Sequence, residues 1–438
     1  YDYVNWTDVP GTTTLHQLTD GSVAVANPYW YNGRGAVTWI NGSTGALTDG
    51  SHGAAISATV SLVGSTGLRS QAVTSTDSNN HTVYVSSTTS ALPYTATYNG
   101  NANSPMRTNA PGGAGDFVGQ EVLALPGGGY AVASPMWTNG AYVYAGAVTH
   151  GAAGGTAGAV GTSNSLHGDR SFDFVGSGGL RATGTTGSHY LVQSPLWTAT
   201  SNAAAGKYLE NNPDGAVTWV DGSTGLPYAA GSTGAAISSS NSLIGTAGDA
   251  LGAYSHGTNT PGSYSYDYNV TTYVSTYPYA AGRVMPSGTG LQALRNGHYL
   301  VVDNAGFGGR GSVTFGNGDS GVAGVVSSSN SLVGGTSGDM TNVTVTELAG
   351  SHYVVDNPTW TNPTGNKVYA GAVTWGSGTS GVTGPCAISR VTNRCHDTSV
   401  PEVVRVFMSM GYLAATTSAG PIVAARGGTA ARSPLMPK

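Results

Sequence analysis

The stretch GAVTWINGSTG, from Gly35 to Gly45, decides the fold because it recurs along the chain. The recurrences are GAVTWVDGSTG from Gly215, GSVTFGNGDSG from Gly311, GAVTWGSGTSG from Gly371 and, with a two-residue insertion, GAVTHGAAGGTAG from Gly146. Each copy alternates apolar and polar residues and then reaches a turn rich in Gly, Asn, Asp and Ser. This pattern is typical of a short antiparallel strand that ends in a tight turn. Self-similarity of this kind predicts a repeat protein.

Further strand-like segments flank the repeated stretch. Upstream, an alternating segment ends in a corner of the form polar-Pro-x-aromatic; the copies are SVAVANPYW (Ser22 to Trp30), YAVASPMW (Tyr130 to Trp137), YLVQSPLW (Tyr190 to Trp197) and YVVDNPTW (Tyr353 to Trp360). Downstream lies a segment such as VSSSNSLVG (Val326 to Gly334). Together with a first strand such as FVGQEVLAL (Phe117 to Leu125), each repeat is predicted to be a four-stranded antiparallel unit.

The spacing of the repeats predicts the number of units. Their first glycines fall at 35, 146, 215, 311 and 371, and the two longest intervals hold degenerate, Tyr-rich segments at about 70–116 and 250–288. A four-stranded unit cannot bury both faces alone, and radial stacking would bury them. We therefore predict an all-β, seven-bladed β-propeller of four-stranded antiparallel blades over residues 12–396. Six blades with one long insertion is the competing count.

The two ends of the chain fall outside the predicted blades. Residues 1–11 are predicted to form an N-terminal segment near the ring closure. The repeat stops after Cys395, and residues 397–438 are predicted to be a short C-terminal extension that acts as a linker or docking tail.

Composition narrows the class of protein. The 438 residues include 68 glycines, 39% are hydrophobic, and 16 Lys and Arg stand against 21 Asp and Glu. The apolar content suffices for a core, whereas a net charge of −5 leaves no basic surface for a phosphate backbone. No apolar run approaches the about 20 residues that span a bilayer. We expect no nucleic-acid partner, no membrane span, and an extracellular or cell-surface location.

The two cysteines, Cys386 and Cys395, are close in sequence and predict a local disulfide, as in a secreted protein. One cysteine pair with only His396 nearby falls short of a tetrahedral ligand set. His189, His298 and His352 share one repeat context before a Tyr, which favours a structural role. We predict no metal site and no cofactor.

The repeats resemble two known families. A strand that ends in Ser-Pro or Asn-Pro plus an aromatic residue, followed by a Gly-Ala-Val strand, is similar to the FG-GAP repeat of integrin-alpha-type seven-bladed propellers. The unit from GAVTWG to SSNSLVG resembles repeats of large secreted bacterial adhesins of the filamentous-haemagglutinin type. Over about residues 12–389, this resemblance implies surface display and adhesion without catalysis. Calcium-binding FG-GAP blades carry a DxDxDG-like loop, and none of these turns has it.

One short motif suggests a catalytic serine, but the equivalent positions of the other repeats argue against this interpretation. GDSG at Gly318 to Gly321 is similar to the nucleophile region of chymotrypsin-like proteases, but the equivalent turns read GSTG at Gly42 and Gly222 and GTSG at Gly378. Ser320 is therefore expected in a polar hairpin turn. With only four glutamates in the chain, a paired-acid hydrolase site is not expected either. We predict a protein that is not an enzyme.

The corners offer a candidate binding site. The tryptophans of the GAVTW strands are expected to pack between units, whereas a ring at a strand end beside a Gly- and Asn-rich loop can stack on a sugar. The predicted ligand-binding residues are the platforms Trp30, Trp137, Trp197 and Trp360 and the hydrogen-bonding groups Asn27, Asn139, Asp356 and Asn357.

Three functions follow from this sequence. The first is a non-catalytic secreted or cell-surface propeller that binds glycans, or a surface protein, through several weak sites. The second is a structural subunit of an extracellular filament or surface layer that self-associates through its C-terminal tail. The third is a propeller-fold polysaccharide-degrading enzyme.

Overall fold

The computed structural model describes residues 13–67, 115–199 except 141, 213–252 except 247–248, and 290–386 except 305 and 364–365, with strand segments 72–76, 82–85, 413–414 and 424–425. The first strands are β1 (Thr14–Gln17), β2 (Val23–Asn27), β3 (Ala36–Ile40), β4 (Ser61–Val63), β5 (Ala72–Thr76), β6 (Thr82–Val85), β7 (Glu121–Ala124), β8 (Tyr130–Ser134), β9 (Ala147–Gly151), β10 (Gly158–Ala159) and β11 (Ser165–His167).

The middle of the chain contains β12 (Gly179–Thr183), β13 (His189–Ser194), β14 (Ala216–Val220), β15 (Ala235–Ala236), β16 (Leu243–Ile244), β17 (Gly290–Ala293), β18 (Tyr299–Asp303), β19 (Ser312–Gly316), β20 (Gly324–Val325) and β21 (Ser331–Val333). The last strands are β22 (Thr344–Glu347), β23 (Tyr353–Asn357), β24 (Ala372–Gly376), β25 (Gly384–Pro385), β26 (Leu413–Ala414) and β27 (Ala424–Ala425). Helical turns are short: α1 (Trp30–Gly33), α2 (Gly306–Gly309), and 3₁₀ turns at Pro126–Gly128 and Ala349–Ser351.

Five sheets, numbered 1 to 5 in chain order, correspond to the five repeats. Their strand orders are β1-β2-β3-β4-β10, β7-β8-β9-β11-β15, β12-β13-β14-β16-β20, β17-β18-β19-β21-β25 and, for sheet 5, β22-β23-β24. In each of the first four sheets, four strands of one repeat pair antiparallel, as the alternation predicts. The pairs β5-β6 and β26-β27 form separate two-stranded sheets.

The fifth strand of sheets 1 to 4 comes from the following repeat. Strand β10 belongs to repeat 2 but pairs parallel with β4 of repeat 1, and β15, β20 and β25 join β11, β16 and β21 in the same way. The next residue continues the pairing, since the Val160 N–H donates to the Val63 carbonyl at 2.9 Å. We call these two-residue segments donor strands. They link consecutive sheets at one edge.

Consecutive sheets also share cores. Each of the four main clusters contains residues from two neighbouring sheets: Trp39 with Tyr130, Val148 with Val192, Val217 with Tyr299, and Val313 with Val355. We call the face of a sheet that meets the following repeat its forward face and the opposite face its rear face. Since a strand points alternate residues to opposite faces, each inner sheet contributes to two cores.

The all-β prediction is confirmed, but the seven-bladed propeller is wrong. The structure has five separate sheets of three to five strands, and none curls or closes into a propeller. Within the described residues, no core cluster joins sheet 1 to sheet 5, as ring closure would require. The physical reason is that donor strands and shared cores bury both faces of the inner sheets in a linear series, without a ring.

In the part of the chain that the structure describes, the two expected degenerate blades contribute no sheet to this series. In the interval at about 70–116, the described strands β5 and β6 pair only with each other. Most of the interval at about 250–288 lies outside the described residues, as do residues 1–11. Of the predicted extension 397–438, the structure describes only β26 and β27.

A buried pair of hydroxyls recurs inside the repeats. The Thr of each GAVT or GSVT strand meets a Ser at the fourth strand: Thr38 with Ser61, Thr149 with Ser165, Thr218 with Ser242, and Thr314 with Ser331, at 2.6 to 2.7 Å between oxygens. In repeat 5 the Thr374 hydroxyl instead lies 3.7 Å from the Cys386 sulfur. Each pair satisfies two polar groups that burial would otherwise penalise.

Candidate functional site

Three of the four predicted stacking tryptophans lie in the core. Trp137, Trp197 and Trp360 are 4%, 4% and 2% exposed, and their rings belong to hydrophobic clusters. The corner is a turn in which the Trp137 N–H donates to the Ser134 carbonyl, and the ring then folds inward against the sheet. None of these three rings presents a face on which a sugar could stack.

Trp30 differs from the other corner tryptophans. It is half-buried at the start of α1, and its ring centroid lies 5.5 Å from that of Tyr31. Tyr31 is exposed and has the Arg34 guanidinium 4.8 Å from its ring centroid. This corner therefore keeps an aromatic surface that is open to solvent.

The predicted hydrogen-bonding groups are dispersed over different environments. Asn27 and Asn139 are half-buried, and the Asn139 amide donates to the Gly168 carbonyl at 3.0 Å. Asn357 is buried and accepts from the Thr359 hydroxyl at 3.3 Å. The Asp356 side chain is exposed, but desolvation by neighbouring protein atoms still raises the pKa of its carboxyl. The structure does not gather these four groups into one site.

Exposed tyrosines occupy the corner loops instead. The large aromatic side chains that remain exposed among the described residues are Tyr29, Tyr31, Tyr142 and Tyr369. All four lie between a corner Pro and the first Gly of the next repeated strand. The tryptophan pattern gives no indication of these tyrosines; their signal in the sequence is a Tyr up to six residues before a repeat glycine.

A second set of residues that the sequence analysis missed lies at the junctions between repeats. Each junction has a buried aspartate, namely Asp116, Asp173, Asp249 and Asp339. The detectable signal was the spacing after the fourth strand, which reads Asp-Phe-Val-Gly twice, at 116 and 173.

The junction aspartates tie consecutive repeats together. Asp116 Oδ2 accepts the N–H groups of Ser65 and Thr66, both at 2.7 Å, while its Oδ1 accepts the Thr138 N–H at 3.0 Å in the next repeat. Asp339 makes the equivalent bonds to Thr336 and Thr361. These carboxylates use their oxygens on backbone donors, which is a structural role.

Asp173 is the exception among the junction aspartates. Its Oδ2 accepts the N–H groups of Asp169 and Arg170, whereas its Oδ1 is buried and has no hydrogen-bond partner among the described residues. The Arg170 guanidinium donates instead to the Thr198 carbonyl. Burial raises the pKa of Asp173 to about 7, and burial also raises the pKa of Asp116. Because Asp173 lies inside a junction, this shift reflects desolvation of a structural carboxyl.

The three repeat-equivalent histidines have matching geometry. The Nδ1 atoms of His298 and His352 accept the turn N–H groups of Gly318 and Gly378 at 3.0 and 3.1 Å, and His189 stands in the same relation to Gly222. Each ring also lies against an aromatic ring of its own sheet. Within the described residues, no three His, Cys, Asp or Glu side chains form a metal-binding group.

Ser320 lies in a turn, where repeat alignment placed it. Its N–H donates to the Asn317 side-chain oxygen at 3.2 Å, and the neighbouring Asp319 accepts the Thr185 N–H at 2.8 Å. The first bond lies within the polar turn, and the second connects that turn to repeat 3.

Cys386 is disulfide-bonded and buried. Its predicted partner, Cys395, is the only other cysteine of the chain and lies outside the described residues. In the part of the chain that the structure describes, no helix has the length and apolarity needed to cross a bilayer.

The stacked sheets, shared cores and junction carboxylates define an all-β tandem-repeat protein. The chain belongs to the family described as a repeat of unknown function (DUF5650), whose model matches residues 17–70, 124–177, 185–253, 293–342 and 347–391. The match confirms a repeat protein, with five repeats, and does not extend to the FG-GAP or adhesin type. No curated protein matches the chain.

Proposed function

We propose that the chain is a non-catalytic repeat array that acts outside the cell or at the cell surface and binds glycans through several weak sites. The observation that carries this proposal is the recurrence of exposed tyrosines on the corner loops of repeats 1, 2 and 5. An exposed aromatic ring next to loop amides suits the apolar face and the hydroxyls of a sugar. Several such loops on one array would add avidity without a strong single site.

The absence of catalysis in this proposal is supported by how the polar groups are used. The junction carboxylates accept backbone N–H groups, the Thr and Ser hydroxyls face each other, and the repeat histidines accept turn N–H groups. A catalytic acid, base or nucleophile needs to reach a substrate, and these groups face protein.

A glycan array tests the proposal with the double variant Tyr31→Ala, Tyr142→Ala. We expect binding to fall by about tenfold or more, because losing two of several weak sites reduces avidity multiplicatively. Val325→Ala is the matched control, since it removes an exposed apolar side chain from a donor strand. Unchanged binding in the double variant would contradict glycan recognition by these loops, and turnover of any polysaccharide would contradict the non-enzyme proposal.

A second function, a structural subunit of an extracellular filament or surface layer, is favoured by the linear series of sheets. In that series each repeat contacts its sequence neighbours through a donor strand and a core. Further units could be added to such an array through the same donor-strand and core contacts.

A further inference from the structure

Two peptide sequences occur twice in this chain, each time in two different environments. The pentapeptide GAAIS stands at Gly53 to Ser57 and at Gly234 to Ser238, and the heptapeptide VYAGAVT stands at Val143 to Thr149 and at Val368 to Thr374. In each pair, one copy is covered by the adjacent repeat and the other is exposed. The neighbours of the covered copy indicate which kind of segment the exposed copy can bind.

The GAAIS peptide contains a donor strand. In repeat 3, Ala235–Ala236 pairs with β11 of repeat 2, and the Ile237 N–H donates to the His167 carbonyl at 3.1 Å. In repeat 1, Ala54 and Ala55 are exposed and belong to no sheet. Residues Ala54 and Ala55 thus have the sequence of a donor strand, but they form no strand and pair with none among the described residues.

The rear face of sheet 1 is open. Leu15 lies opposite Val25, and this pair corresponds to Val122 and Val132 of repeat 2. Val132 is fully buried under sheet 1, whereas Val25 is half-buried and Leu15 is 73% exposed. In repeat 2 this apolar row is covered by the preceding repeat. On the rear face of sheet 1 the same row is exposed to solvent.

The VYAGAVT peptide allows the same comparison between repeats 2 and 5. Tyr144 and Tyr369 have the same backbone conformation, with φ of 54° and 55°, yet Tyr144 is 6% exposed and Tyr369 is 75% exposed. In repeat 2 the Phe172 and Phe174 N–H groups donate to the Val143 and Tyr144 carbonyls at 2.9 and 3.0 Å. Phe174 also stacks on Tyr144, with 5.4 Å between ring centroids.

The open copy in repeat 5 keeps the same shape without this cover. A bulky residue at positive φ is strained, and the surrounding structure normally maintains it. Val368 and Tyr369 therefore present a preformed surface for the segment that precedes the first strand of a following repeat.

We propose that a second copy of this chain binds head to tail, with the rear face of its sheet 1 docked against the forward face of sheet 5 beside Tyr369. Sheet 5 has no fourth strand among the described residues, so the Ala54–Ala55 segment is given no acceptor in this contact. This contact would continue the interface that already joins repeats 1 to 5. Because it uses two different surfaces, it does not close a pair, and it generates an open filament. The proposal deepens the second of the proposed functions, and it uses Tyr369, which is also one of the exposed tyrosines in the glycan-binding proposal.

Sedimentation velocity of the full chain over a range of concentrations tests this proposal with two variants. Leu15→Asp alters the rear end and Tyr369→Asp the forward end, and both side chains are exposed, so the fold should persist. We expect the wild type to form a ladder of oligomers and each variant to associate at least about tenfold more weakly, since a charge would replace buried apolar area. Tyr142→Asp, at an exposed aromatic residue within the array, is the control that should retain the ladder.

A mixing experiment fixes the direction of the contact. Each variant keeps one intact end, so an equimolar mixture of Leu15→Asp and Tyr369→Asp should form dimers and stop there. A wild type that stays monomeric at all concentrations would overturn the proposal. So would association that Leu15→Asp abolishes and Tyr369→Asp leaves unchanged, because that result indicates two rear faces packed together. Glycan binding by a monomeric wild type would leave the adhesion function standing while removing this one.

Discussion

Thr218 Oγ1 and Ser242 Oγ lie 2.6 Å apart, and both hydroxyls are buried within sheet 3. The Ser242 hydroxyl also bonds to the Asn241 side-chain oxygen at 2.8 Å, so the pair connects the third strand, the fourth strand and the preceding turn. The same pair recurs in repeats 1, 2 and 4. In these repeats the third and fourth strands are therefore joined by a buried hydrogen bond as well as by apolar packing.

Breaking one hydroxyl pair should cost stability. Thr218→Val keeps the shape of the side chain but removes the partner of Ser242, and we expect a loss of about 1 to 2 kcal/mol in urea unfolding. The double variant Thr218→Val, Ser242→Ala should lose less than the sum of the single losses, because it leaves neither hydroxyl of the pair behind. Strictly additive losses would show that the two hydroxyls do not interact.

Asp173 should make stability depend on pH. Its pKa is raised to about 7 in the folded chain, above the unfolded value of about 3.9, so the folded state binds more protons between these values. Stability should therefore fall as pH rises from about 4 to 7 and level off above that, by at most about 4 kcal/mol.

Asp173→Asn checks this pH dependence. The variant should remove most of the slope in thermal unfolding midpoints between pH 4 and 8 and should be more stable than the wild type at pH 8. Asp169→Asn, at an exposed neighbouring carboxylate, should keep most of the slope. A wild-type stability that rises over this pH range would contradict the assignment.

Gly225 should be sensitive to substitution because it lies at a repeat junction. Its φ is 75°, and an added Cβ would lie 2.5 Å from the Cβ of His150 in the preceding repeat. Gly225→Ala should destabilise the chain by about 2 to 4 kcal/mol, through backbone strain and overpacking. Gly231→Ala is the control, since nothing lies within 4 Å of the Cβ it would add. Equal stability of the two variants in urea unfolding would contradict this packing.

The loss of stability on replacing a corner tryptophan should depend on how deeply its ring is buried. Trp137→Ala removes a ring from the core between sheets 1 and 2 and should cost about 3 to 5 kcal/mol, whereas Trp30→Ala should cost clearly less because that ring is half-buried. Circular dichroism during thermal unfolding measures both. A Trp137→Ala variant as stable as the wild type would contradict the placement of that ring in the core.

The local structure of this chain was predictable from sequence, and its assembly was not. Alternation and turn residues in GAVTWINGSTG predict a strand that ends in a tight turn. Strand β3 is followed by such a turn, in which the Gly45 N–H donates to the Asn41 carbonyl at 2.8 Å. The same alternation buries both faces of a sheet in a propeller or in a linear stack, so it cannot distinguish them. Donor strands such as Ala235–Ala236 are two small residues long and carry no strand signal of their own.

The candidate site was harder to predict for a related reason. A Pro-x-Trp corner can turn its ring inward or outward with the same sequence, and packing against the next sheet decides the direction at Trp137. The exposure of Tyr369 and the burial of Tyr144 show the same limit, because the two residues share a heptapeptide and differ only in their neighbours.

If the five sheets form an open linear series, sheets 1 and 5 lie far apart, and the distance between them can be measured. Ser43 and Thr379 are exposed residues in equivalent turns of sheets 1 and 5, and Ser43→Cys with Thr379→Cys allows spin labels at both. Pulsed electron spin resonance, on labelled chain diluted with unlabelled chain, should give a distance of about 40 Å, four sheet spacings of about 10 Å each. A distance below about 20 Å would place the first and last sheets side by side, as in a closed ring, and would contradict the account.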